Sequence, residues 1–145
     1  MKSDKKEDLP LVNIERNPLF LLVSSLLTGV IVFYAYSLLK AVNPWGFMVM
    51  VPAAVLAFQT LWWLLNPFAE IYHDRIEIKQ SLFQDKVRYF VDLKKINSTK
   101  KQSLYITYND DEQEELNLFG IKSSHLPLMK SEMEKFVLES MNARP

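Results

Sequence analysis

The chain has 145 residues, 17 of them basic and 17 acidic, with three glycines and no cysteine. A net charge of zero argues against an unaided nucleic-acid binder, and the lack of cysteine excludes disulfides and thiolate chemistry. The length admits a helical hairpin plus one domain of roughly eighty residues, and no more. Residues 1–17 mix Lys, Glu and Asp and read as a solvated cytoplasmic tail. Within it, Leu11, Val12 and Ile14 are free to lie on a membrane or to pack on a folded domain.

Residues 18–39 carry no charge, and at 1.5 Å per helical residue they span about 30 Å, the thickness of a bilayer's hydrocarbon core. A second uncharged run fills residues 45–66, and only Lys40 stands between the two, in a turn of residues 40–44 with Asn43 and Pro44. Backbone polar groups in hydrocarbon must be satisfied within the segment, so both runs read as transmembrane helices, antiparallel across a short turn. The alternatives are a buried hairpin in a soluble core and a signal peptide with a weak cleavage triplet at residues 35–37. Neither run shows the polar stripe of a soluble helix, and a second span follows the first. Tyr34, Tyr36, Trp45, Trp62 and Trp63 fall near the ends of the runs, where aromatic rings favour the membrane interface. Small residues four apart, Ser25 with Gly29 and Ala53 with Ala57, suit close helix packing, within the hairpin or between copies. Lys2, Lys5, Lys6 and Arg16 precede the hairpin and many Lys and Arg follow it, against Lys40 alone in the turn. Both termini are therefore expected in the cytoplasm of a multi-pass inner-membrane protein.

After Asn66-Pro67 the pattern changes to a period of two. Residues 68–72 are expected as a strand, and residues 75–79 alternate strictly as a half-buried strand does. Residues 81–84 form a turn. Residues 85–91 form a strand with Val87, Tyr89 and Val91 on one face and Lys86, Arg88 and Phe90 on the other. A helical turn at residues 92–95 leads to strands at 96–101 and 104–108, a polar loop at 109–113 and a strand at 114–119. Ser123 or Ser124 caps a closing helix, with Pro127 in its first turn and Leu126, Met129, Met133, Phe136 and Val137 on one face. The domain occupies residues 67–142, and residues 143–145 are a short tail.

This layout resembles the membrane-anchored bacterial proteins in which two transmembrane helices precede a pleckstrin-homology-like domain. The resemblance lies in Glu70-Ile-Tyr-His-Asp-Arg-Ile-Glu-Ile78, an apolar strand, acidic turn and Ile-x-Ile strand, and in Val91-Asp-Leu-Lys-Lys-Ile96, the step into the next strand. It implies an α+β membrane protein: a transmembrane hairpin, then a small antiparallel sheet or partial barrel closed by one C-terminal amphipathic helix. Five or six strands are countable where the full fold has seven, so either the barrel is open or its first strand comes from a membrane-proximal segment. The resemblance implies an interaction module, and no functional residue is carried over from it.

No catalytic constellation, cofactor motif or metal-ligand spacing emerges. His73 sits in a turn beside Asp74, and His125 sits at a helix start. Lys94, Lys95, Lys100 and Lys101 flank one strand as a candidate patch for anionic lipid headgroups, with the acidic run at residues 110–115 positioned either to neutralise them or to form a partner surface. The leading expectation is a non-enzymatic membrane protein presenting its domain to a protein partner or to another copy of itself. The alternatives are a sensor of anionic lipid headgroups and a small subunit of a transport complex, the latter resting on Gln59 in the second span.

Overall fold

The computed structural model describes residues 9–100 and 103–143, the side chains of residues 84, 99 and 100 excepted. Two long helices lead, α1 (Pro18–Lys40) and α2 (Trp45–Leu65). Asn17 caps α1 by accepting the Leu19 N–H at 2.9 Å, and Pro18 takes the first position, where no amide is needed. Asn66 leaves helical geometry at the end of α2, as a residue before proline must. Both helices are long and apolar enough to cross a membrane. Their outer faces expose a row of large apolar side chains, among them Leu22, Leu26, Val30, Phe47, Val51 and Phe58.

The helices touch along a narrow seam. Ala35, Gly46, Ala53 and Thr60 are buried there, and the Thr28 and Thr60 hydroxyls share a hydrogen bond of 2.8 Å. A Cβ on Gly46 would stand 2.9 Å from Leu39, so only glycine permits this approach beside the turn. Ala57 and Ser25 are half-buried near the seam, whereas Gly29 stands on the exposed face with open space around it. The seam on α1 thus runs through Thr28 and Ala35 rather than Gly29.

Seven strands occur among the described residues: β1 (Val12–Ile14), β2 (Ala69–Ile71), β3 (Arg75–Ser81), β4 (Gln84–Tyr89), β5 (Leu93–Lys100), β6 (Ser103–Tyr108) and β7 (Gln113–Leu116). They form two antiparallel sheets, β1-β2-β3-β4 and β5-β6-β7, that do not close into a barrel. A C-terminal helix, α3 (Leu126–Asn142), packs on them. Its capping differs from expectation: a 3₁₀ turn at Ser123–His125 leads into the helix, and no side chain caps it.

The residues before the hairpin do more than trail into solvent. Val12 pairs with Ile71 and Ile14 with Ala69, so the first sheet takes one strand from each side of the helix pair. The strand before the hairpin therefore belongs to the same sheet as those after residue 67. A single bridge between Arg16 and Ile121 ties this edge to the segment after β7. The core lies between the sheets and α3, from Ile14, Phe68, Ile76, Phe90, Leu93, Ile106, Met129 and Met133 with their neighbours. Phe90 enters it from a 3₁₀ turn at Phe90–Asp92, which carries the chain from the first sheet to the second.

Strand directions give the domain two ends. β1 runs toward α1, and β3 runs toward the turn at Leu82 and Phe83 beside α2. Leu104 pairs with Leu116, the last residue of β7, and four residues on the Gly120 carbonyl accepts the Asn17 N–H at 2.8 Å. The end of β5 and the start of β6 therefore also lie at the hairpin end. The turns at 72–74, 90–92 and 109–112 lie at the far end, held together by Phe90 N–H to Asp74 O at 2.8 Å and Asn109 N–H to Asp92 O at 3.0 Å.

Candidate functional site

Three side chains fasten the sheet domain to the helix pair. Arg16 is 6% exposed and donates from Nε to the Asn66 carbonyl at 3.2 Å and from Nη2 to the Lys79 carbonyl, with its guanidinium over the Phe68 ring. Burial pushes its pKa down to about 10, which leaves it cationic at neutral pH. Trp63 donates its indole N–H to the Gln80 carbonyl at 3.1 Å. Gln59 accepts the Leu82 N–H at 3.1 Å. Trp63 and Gln59 of α2 reach the end of β3 and the turn after it, and Arg16 bridges Asn66 to Lys79 of β3, so the domain is docked rather than loosely tethered.

The interface aromatics divide accordingly. Tyr34, Tyr36 and Trp45 are exposed at the turn end of the helices, where a membrane boundary would meet them. Trp62 and Trp63 are half-buried at the other end, and Trp63 serves the docking contact. Gln59, considered from sequence as a mark of a transport path, accepts a backbone N–H of the sheet domain. No sequence pattern could have revealed that partner.

Beside the junction lies a cleft of about 970 Å³, between Asn17 and Phe20 of the hairpin and the 115–121 segment, with Leu126 and Pro127 as its floor. Phe20 packs against Trp63 and Phe119, at ring centroid distances of 5.0 and 5.1 Å. Gly120 holds a left-handed φ of 88° with the Phe20 ring 3.3 Å from where a Cβ would stand, so glycine is required twice over. The cleft mixes Glu115, Asn17 and Asn117 with apolar residues and holds no cation.

Of the four lysines, Lys94 and Lys100 stand at opposite ends of β5. Lys94, second in β5, pairs with Asp111 at 2.5 Å, at the far end. Lys95 is exposed beside it. Lys100 ends the same strand six residues on, about 20 Å away at the hairpin end, and Lys101 lies outside the described residues. The turns at the far end expose Asp74, Asp92, Asp110, Asp111 and Glu112, with Asp74 paired to Arg75 and Asp111 to Lys94.

A polar cluster closes the gap between the two sheets. Arg88 on β4 makes a bidentate pair with Glu114 on β7, at 2.8 Å to each oxygen, and the Tyr108 hydroxyl donates to Glu114 at 2.6 Å. All three lie on the inward faces, since Arg88 is the register partner of buried Ile76 and Glu114 that of buried Ile106. The Arg88 hydrogen bond holds the Glu114 carboxyl down at about 2, and burial first, then the Glu114 bond, pushes the Tyr108 phenol up to about 12. A carboxylate depressed in the folded state contributes stability above its ordinary pKa of 4.5, and that contribution is lost as pH falls toward 2. Discounted for partial exposure, it amounts to about 1–2 kcal/mol. Urea unfolding between pH 5 and pH 2 is expected to show this loss in the native chain, and Glu114→Gln is expected to start less stable and to flatten the acid limb. An unchanged slope in that variant would remove the cluster from the account of acid stability.

The histidines serve structure. His73 lies edge-on to Phe136 at 5.8 Å, and His125 Nδ1 accepts the Glu15 N–H at 3.1 Å. Among the described residues, no cluster of His, Asp or Glu has the arrangement of a metal site. Comparison with known protein families, with curated proteins and with solved structures returned no match to this chain.

Proposed function

We propose that this chain is a non-enzymatic integral membrane protein whose helix pair anchors a pleckstrin-homology-like domain at the cytoplasmic face, where its acidic far end docks a protein partner. Seven strands divided four and three among the described residues, with a C-terminal helix packed on β5 and on the turn that joins the sheets, support the pleckstrin-homology-like reading. The basic residues on either side of the hairpin support the orientation. The observation that carries the partner surface is the polarity of the docked domain. Its hairpin end is fixed to α2 through Arg16, Gln59 and Trp63, and its turns rich in Asp and Glu lie at the opposite end. A surface held at one angle to a membrane and rich in one charge selects partners of the opposite charge and raises their encounter rate.

The test is photo-crosslinking in native membranes from a probe at position 110, with mass spectrometry of the products. One recurrent protein with a basic contact surface is expected. Its yield is expected to fall about tenfold when Asp110, Asp111 and Glu112 are changed together to Asn, Asn and Gln. Products containing only lipid, or only second copies of the chain, would replace the partner reading with a lipid sensor or a self-assembling scaffold.

A further inference from the structure

We propose that the turn between β3 and β4, with Phe83 at its tip, inserts into the lipid leaflet beside α2 as a second membrane contact; this rests on the membrane reading given above. The Leu82 N–H reaches Gln59, six residues before the end of α2 at Leu65. Six residues of helix are about 9 Å of axial length. The turn therefore stands about that far up the helix from its sheet-side end. Trp63 holds the Gln80 carbonyl one turn lower, so the end of β3 climbs along the helix.

The hydrocarbon boundary cannot lie above that turn. α1 and α2 have 23 and 21 residues, about 34 and 31 Å, against a core thickness of about 30 Å. Neither helix has apolar length to spare. Leu19 at the start of α1 and Leu61, Leu64 and Leu65 at the end of α2 are all exposed, so apolar surface runs to both sheet-side ends. A boundary placed at those ends leaves Phe83 on its lipid side, and Phe83 is 79% exposed.

The chemistry of the tip suits that position. Residues 80–84 are Gln, Ser, Leu, Phe and Gln, without a charge, between Lys79 and Asp85. A turn in lipid needs its backbone donors satisfied, and the Gln59 amide satisfies the one at Leu82. This gives the only strongly polar amide side chain of α2 a structural purpose. The occupant is lipid, because the contact is continuous with the lipid-facing surface of α2.

The lack of cysteine makes a site-directed spin-label test direct. Single cysteines replace Phe83, Leu26, Leu64 and Asp110 in the full chain, which is labelled and reconstituted into phosphatidylcholine–phosphatidylglycerol vesicles. Collisions with oxygen, which concentrates in lipid, are compared with collisions with a water-soluble nickel chelate. The Phe83→Cys label is expected to equal or exceed the Leu64→Cys label in its oxygen-to-nickel ratio, and to stand about tenfold above the Asp110→Cys label. A ratio like that of Asp110→Cys, or shielding from both reagents by a protein contact, overturns the inference. The Leu26→Cys label in mid-α1 separates the two readings: if it lies in lipid while position 83 does not, the insertion fails alone. If position 26 is open to nickel, the membrane reading fails and takes the insertion with it.

Discussion

Arg16→Ala is expected to release the sheet domain from the helix pair at a cost of about 3 kcal/mol. The guanidinium supplies charge-assisted hydrogen bonds to the Asn66 and Lys79 carbonyls, each worth about 1.5–3 kcal/mol when the acceptor is otherwise shut off from water. Its planar fork reaches both carbonyls at once and lies over the Phe68 ring, 5.7 Å from its centroid. Lysine has one donating centre and cannot span them, so Arg16→Lys is expected to recover less than half of the loss. The measurement is equilibrium unfolding in detergent, followed by tryptophan emission, because the Trp63 indole is bonded to Gln80 at this same junction. Protease cleavage near Asn66-Pro67 reports release without unfolding. A change below about 0.5 kcal/mol, with unaltered cleavage, would show that Arg16 is not the fastening.

Phe90→Ala is expected to cost about 3–5 kcal/mol, the range for emptying a buried aromatic site. Phe90 is 1% exposed and stacks on Phe136 of α3 with ring centroids 5.5 Å apart. Its carbonyl accepts the Ser140 hydroxyl at 3.1 Å, and its amide donates to Asp74. One residue thus joins the first sheet, the corner between the sheets and the closing helix. Its neighbours make the control: Tyr89 and Val91 are 48% and 55% exposed, and alanine at either is expected to change stability by no more than about 0.5 kcal/mol. Thermal unfolding of the three variants side by side checks the contrast. Equal losses in all three would mean that the corner, not the ring, carries the stability.

That contrast also shows where sequence reading reaches its limit. Alternation places Val87, Tyr89 and Val91 on one face and Arg88 with Phe90 on the other, and the apolar-looking face is the outer one. Arg88 turns inward because Glu114, twenty-six residues on, satisfies it there. Hydropathy cannot anticipate a charge that is buried with its partner. The helix pair and the Ile76–Ile78 strand were legible because their patterns are local, being a charge-free run and a strict period of two. β1 was not, since three residues make no pattern and its partner begins beyond the hairpin, though Val12 and Ile14 do carry the right spacing. The lysines at 94, 95, 100 and 101 look like one group along the chain, but an extended strand carries the first and third to opposite ends of the domain. The docking roles of Arg16, Gln59 and Trp63 had no sequence signal beyond a polar amide in an apolar run.

β1 and β2 have a consequence for how the chain is made. Ile14 is synthesised before the helix pair and Ala69 after it, and the two are register partners in one sheet. The early strand must wait, without a neighbour, while about fifty-five residues leave the ribosome. It can be claimed only if the chain returns to the compartment it started from. A pair inserted with an odd number of crossings would strand the two halves of the sheet on opposite sides of the bilayer. If the helix pair spans a membrane as proposed, a misthreaded chain would lack its first strand and leave the edge of β2 unpaired.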